Sequence, residues 1–193
     1  MRMGSKWLII SGSIFIILSL CLVLYSLFSA QSSKKERETL VSQIEELIPE
    51  RSQGIPDTYS SMEMPVLEIE GHDIIALLDI PTAEDSLPVG RVWDKSDLYS
   101  YPQRFSGSVY DSSLIIGGCD KKGQLDSLER LDIGHIIKVT DMTGAEFSYK
   151  VERIDRKSSA EADVLTDENF DLTLFVRDSS TMDYIIVRCS FDA

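Results

Sequence analysis

Asp171-Leu172-Thr173-Leu174-Phe175-Val176-Arg177-Asp178 is a strand-length apolar run, rich in bulky residues and closed on both sides by aspartate. It predicts a buried β-strand over Leu172 to Val176. A second such run, Tyr184 to Cys189, follows after a short polar connection. Upstream, Leu114-Ile115-Ile116 precedes Gly117-Gly118, His135 to Thr140 precedes the turn Asp141-Met142-Thr143-Gly144, and Phe147 to Ile154 alternates apolar with polar residues. Val66, Ile69 and Ile74-Ile75-Ala76-Leu77-Leu78 flank a turn at Gly71-His72-Asp73. Only short helical turns fit between these strands, near Gln124 to Leu131 and Glu161 to Leu165. Many short strands with Gly-containing turns predict a mostly β chain, a closed or nearly closed barrel that leaves few free edges. No internal repeat is evident.

The N-terminus has a different character. No charged residue occurs from Trp7 to Ala30, and at about 1.5 Å per residue this segment is long enough to cross a hydrocarbon core of roughly 30 Å. A cleaved signal peptide is the competing reading, with Ser29-Ala30-Gln31 as its nearest cleavage site. The apolar stretch exceeds the usual 7–15 residues of such a peptide, roughly, so we expect a single membrane anchor. Residues 1–6 then form a short cytoplasmic N-terminus and 7–30 a transmembrane helix. Arg2 and Lys6 on one side nearly balance Lys34, Lys35 and Arg37 on the other, so charge alone does not set the orientation. Residues 31–64 divide into a helix, with Leu40, Val41, Ile44, Leu47 and Ile48 at amphipathic spacing, and a polar linker carrying the turn Ile55-Pro56-Asp57. Residues 65–193 form the barrel domain.

A formal net charge of −13 excludes a nucleic-acid partner, since phosphate contact needs clustered Lys and Arg. Three cysteines do not make a disulfide framework, and nothing requires Cys119 to pair with Cys189. Gly117-Gly118 lacks the Lys-Ser/Thr of a phosphate loop, and the two histidines, His72 and His135, lack ligand spacing for zinc. Asp163, Asp167, Glu168 and Asp171 fit an exposed acidic loop better than a calcium site. No cofactor or metal is expected.

Five segments carry a family resemblance over Met64 to Phe191. Ala76 to Pro81 with Leu87-Pro88-Val89, Phe105 to Tyr110 with Leu114 to Gly118, Leu128 to Ile137, Asp171 to Phe175 and Ile185 to Cys189 resemble, in order, the strand blocks of the sortases, surface cysteine transpeptidases. The resemblance implies a sortase-like β-barrel facing the cell exterior behind its anchor. It also implies a site of histidine, cysteine and arginine: a thiolate attacks a threonyl carbonyl, the histidine protonates the leaving amine and the arginine stabilises the oxyanion. Carried over position by position, those roles fall on Cys119, Arg177 and Tyr184. A guanidinium has no lone pair for attack and stays protonated, so the expected protein is a catalytically inactive, pseudo-sortase binding or scaffolding module. Arg177, Tyr184 and Cys119 are its candidate binding residues. Its partner would be a sorting-signal or cell-wall peptide, or an active sortase. The alternative is a transpeptidase or peptidase using Cys119, its pKa depressed by Arg177. Arg188 shares the strand face of Tyr184 but lies roughly 13 Å further along, and reads as an ordinary barrel-exterior arginine.

Overall fold

The structure is a computed structural model and describes residues 16–21, 35, 38–48, 52–53, 63–94 and 98–192. The chain divides into two units, Met1–Glu36 and Arg37–Ala193. In the first, residues 16–21 are helical, and Ile16, Ile17, Leu18 and Leu20 are exposed. Among the described residues no helix is long and apolar enough to cross a membrane; most of the expected 7–30 span lies outside them.

The second unit begins with helix α1 (residues 38–47). There follow β1 (Ser52–Gln53), β2 (Leu67–Ile69), β3 (His72–Asp79), β4 (Leu87–Gly90), β5 (Gln103–Ser106) and β6 (Leu114–Cys119). After a 3-10 helix (Leu125–Arg130) come β7 (Ile136–Asp141), β8 (Ala145–Lys157), the short helix α2 (Ala162–Leu165), β9 (Leu172–Arg177) and β10 (Tyr184–Phe191). The pairing runs β8-β10-β9-β6-β5-β4-β3, and β7 joins β3 to β8. Eight strands therefore close into a ring, which removes the open edges a flat sheet would expose. β1 and β2 sit outside it, on β8 and β3. The sequence placed 52–53 in a linker, whereas the chain makes a two-residue parallel pair with Ala145 and Glu146 there.

Alternation along the strands fills the barrel. Leu114, Ile116, Phe147, Tyr149, Val151, Leu172, Leu174, Val176, Ile185 and Val187 share one buried cluster; each such aliphatic side chain withdrawn from water contributes on the order of 1.5–3 kcal/mol. The β2–β3 hairpin is tighter than its sequence suggested. Ile69 pairs with His72, so the turn is Glu70-Gly71, both at positive φ (52° and 84°), the backbone of a two-residue hairpin turn. His72 and Asp73 belong to β3, not to a solvated turn.

Helix α1 packs onto this unit. Leu40 and Ile44, one turn apart, are buried against Ile69, Ile74, Leu77 and Tyr101, with Val41 and Ile48 beside them. A second satellite cluster, Ile115, Leu165, Phe175 and Ile186, lies on the outer face of β6, β9 and β10. That face carries the candidate site.

Candidate functional site

The register of three adjacent strands decides what stands beside what. β6 and β9 run parallel with Cys119 opposite Arg177, and β9 and β10 run antiparallel with Arg177 opposite Tyr184. Neighbouring strands lie about 4.8 Å apart, so Cys119, Arg177 and Tyr184 form one row across the sheet. The next row on the same face is Gly117, Phe175 and Ile186, and the one after it Ile115, Thr173 and Arg188. The structure thus brings together all three residues that the sequence singled out, with Arg177 in the middle.

All three line a cavity of about 720 Å³. Its floor is aromatic: Trp93 stacks on Phe175 with centroids 5.5 Å apart, and Phe105 meets both edge-on, at 5.4 Å from Trp93 and 5.6 Å from Phe175. Gly117 makes this possible. A Cβ there would lie 2.8 Å from the Trp93 ring and closer still to Phe175, so only glycine lets the rings settle on the strand. The sequence reading missed Trp93 and Phe105 as site residues. They arrive from a different part of the chain, and the only local signal was Gly117, where a side chain would collide with the Trp93 ring.

The rim is held by side-chain struts. Cys119 donates its backbone N–H to Gln124 Oε1 (2.7 Å), and Gln124 Nε2 donates to the Leu98 carbonyl (3.0 Å). The buried Gln103 accepts the Asp94 N–H (2.6 Å). Asp120 accepts both the N–H (3.0 Å) and the hydroxyl (2.8 Å) of Ser179, tying the end of β6 to the β9–β10 loop. In that loop Asp178 accepts from Ser180 N–H and Oγ, Thr181 N–H and Oγ1, and Arg156 Nη1. The hydroxyls of Ser180 and Thr181 come first among the causes that hold its carboxyl well below the usual range.

Arg177 is exposed. Its guanidinium lies 5.8 Å from the Tyr184 ring centroid, a cation–π contact, and its Nε donates at 3.4 Å to the Met182 carbonyl. Among the described residues it forms no ion pair. Cys119 is half-buried, and burial is the leading cause that raises its thiol pKa; Lys121 opposes this and Asp120 adds to it. Arg177 does not figure among these causes, so the expected depression of the Cys119 pKa is not found. Neither histidine lines the cavity. His72 Nδ1 lies 2.9 Å from the Tyr101 hydroxyl, and His135 Nδ1 accepts the Asp132 N–H at 3.1 Å.

Arg188 differs from its sequence reading. It points outward from the barrel yet is 4% exposed, because the segment between β8 and β9 covers it. Its guanidinium donates to Asp155 (2.6 Å) and to the Val164 carbonyl (2.5 Å), and lies 3.8 Å from Asp167. Arg153, directly opposite in β8, shares both carboxylates at 2.8 and 3.4 Å. Two like charges facing one another on a sheet would repel; two aspartates between them turn the pair into a clasp that holds Ala160 and α2 beside the cavity. Asp167 is thereby engaged, and Asp171 accepts the Phe191 N–H. Among the described residues no group of three or more His, Cys, Asp or Glu is arranged to hold a metal. Cys119 and Cys189 are free thiols at opposite ends of the β6–β9–β10 sheet.

No family model matches the chain, and no curated protein matches it in sequence. Solved structures do. A lid mutant of sortase A from Corynebacterium diphtheriae aligns at 22% identity and TM-score 0.55, covering 63% of this chain and 72% of that one. A Clostridium perfringens sortase D5 transpeptidase gives 21% and 0.55 over 63% and 80%, and sortase C1 from Streptococcus agalactiae 18% and 0.55 over 65% and 71%. The barrel has a sortase-like fold. On that sortase-like scaffold, the row Cys119–Arg177–Tyr184 occupies the ends of three neighbouring strands, beside a groove floored by aromatic rings.

Proposed function

We propose that this chain is a membrane-anchored, catalytically silent module of sortase-like fold whose groove holds a peptide at the cell surface. The observation that carries the reading is Arg177 at the centre of the row, the position to which the family resemblance would assign a nucleophile. A guanidinium cannot attack a carbonyl, but it recognises peptide carbonyls and carboxylates well. The neighbouring groups fit binding better than catalysis. Burial favours the protonated form of Cys119, a protonated thiol is a poor nucleophile, and neither histidine lines the groove to accept or return a proton. The alternative, a Cys119 transpeptidase or peptidase, would have to work without a depressed thiol pKa and without an imidazole in the groove. Peptide is the ligand class that the sortase-like fold suggests: a sorting signal, a cell-wall peptide or a segment of an active sortase. Anchoring rests on the uncharged stretch from Trp7 to Ala30 and on the exposed apolar side chains of Ile16, Ile17, Leu18 and Leu20. The barrel then faces the outside.

The test is titration of the full chain, in detergent micelles, with sorting-signal and cell-wall peptides, followed by calorimetry and by mass analysis of the peptides. Saturable binding with no cleavage is expected. Absence of binding at high micromolar peptide would end the groove reading, and cleavage lost in Cys119→Ala would favour the enzyme.

A further inference from the structure

We infer that the groove selects a peptide ending in a free α-carboxylate next to an apolar side chain, with Arg177 taking the carboxylate; this rests on the groove reading above and names its ligand class. Three observations point there. The first is charge: Arg177 is an exposed cation at the mouth of a cavity with an aromatic floor, with no ion-pair partner among the described residues, while Asp120, the acidic residue that also lines the cavity, is engaged by the N–H and hydroxyl of Ser179. Its guanidinium is already oriented by the Tyr184 ring and the Met182 carbonyl, so little further ordering is needed to engage a carboxylate. The second is spacing. Phe175 lies two residues before Arg177 on the same face, roughly 6.6 Å along the strand. A terminal residue reaches about that far from its carboxylate to the end of its own side chain, which would then rest on Phe175 and Trp93.

The third observation concerns the rest of the molecule. A net charge of −13 repels small anions at long range, an effect screened beyond about 8–10 Å in physiological salt. Acetate or phosphate would gain only the Arg177 contact and would not accumulate. A ligand with an apolar body gains the aromatic floor as well, and only such a ligand uses both halves of the cavity. β6, β9 and β10 are each paired on both sides, so the peptide cannot add as a strand; side chains, with Arg177 first, must supply the polar recognition.

The experiment uses the full chain in micelles with Trp7→Phe, which leaves Trp93 as its single tryptophan. Its fluorescence is titrated with N-acetyl-leucyl-phenylalanine as the free acid and as the C-terminal amide. The acid is expected to bind about tenfold more tightly than the amide, the gain of one charge-assisted contact at a partly exposed site. Arg177→Gln should remove that preference by weakening the acid far more than the amide, and Arg177→Lys, which keeps the charge but loses the fork, should retain part of it. Equal affinity of acid and amide, or an acid preference that survives Arg177→Gln, overturns the inference and leaves the groove reading standing. If neither ligand perturbs Trp93 up to high micromolar concentration, both fall together.

Discussion

Asp178 stands one residue beyond Arg177, and its carboxylate organises the loop that carries the strand back as β10. Ser180 Oγ donates at 2.6 Å, Thr181 Oγ1 at 2.7 Å and Arg156 Nη1 at 2.9 Å. All these donors favour the ionised form, which is why its pKa lies below the ordinary 3.8. A carboxyl depressed in the folded state binds fewer protons there than in the unfolded chain. Its stabilisation is therefore complete above pH 3.8 and is lost as the pH falls below that value. Asp178→Asn should lower the urea midpoint at neutral pH. The gap between variant and parent should shrink to about half or less near pH 2; a gap that stays constant would show that ionisation is not what the loop uses. At this scale the sequence was partly legible. Arg177 could be singled out because the family resemblance puts it where the cysteine would stand, but the five donors converging on its neighbour depend on a loop conformation that no local pattern specifies. Arg188 was misread for the same reason: its partners are Asp155 near the end of β8 and, from the long excursion between β8 and β9, Val164 and Asp167.

Among the elements, helix α1 has the most to lose. Its apolar residues were visible from their spacing, yet periodicity says only that a face is buried, not against what. Leu40 and Ile44 turn out to cover the outer side of the β2–β3 hairpin, where Ile69, Ile74 and Leu77 would otherwise meet water. Leu47, on the same sequence pattern, is 61% exposed, because it falls at the edge of the buried stripe, which runs through Leu40, Ile44 and Ile48. Leu40→Ala should therefore destabilise the folded chain by about 2–4 kcal/mol through lost burial and a residual cavity. Leu47→Ala should change it by no more than about 0.5 kcal/mol. Urea denaturation followed by far-ultraviolet circular dichroism separates the two; equal effects would mean that the helix does not dock in this way. The same elements show where sequence reading succeeds. β9 and β10 were expected over 172–176 and 184–189 and run from Leu172 to Arg177 and from Tyr184 to Phe191, since β-branched runs bounded by polar turns leave little ambiguity.

For the whole molecule, closure of the ring is what gives the row of Cys119, Arg177 and Tyr184 its meaning. β6 meets β9 across 57 intervening positions in the chain, as in Leu114 opposite Leu172 and Cys119 opposite Arg177; such pairings are non-local, and the strand runs alone do not reveal them. The family resemblance supplied the order that periodicity could not. Because the backbone positions are held by eight mutually paired strands, functional groups can be exchanged across the row without asking the fold to change. This makes the placement testable by exchange. In a Cys21→Ser background, Cys119→His, Arg177→Cys and Tyr184→Arg together would set a thiol between an imidazole and a guanidinium. Both neighbours favour the thiolate, in contrast to Cys119 of the parent, whose thiol is pushed up by burial. The remaining thiol, Cys189, is buried and pushed up to about 12, so it contributes little background. The triple exchange should raise the rate of alkylation by iodoacetamide at neutral pH about tenfold over the parent and move its pH dependence to lower values. If the new thiol reacts no faster than Cys119 while circular dichroism shows an intact barrel, the three positions do not share one site.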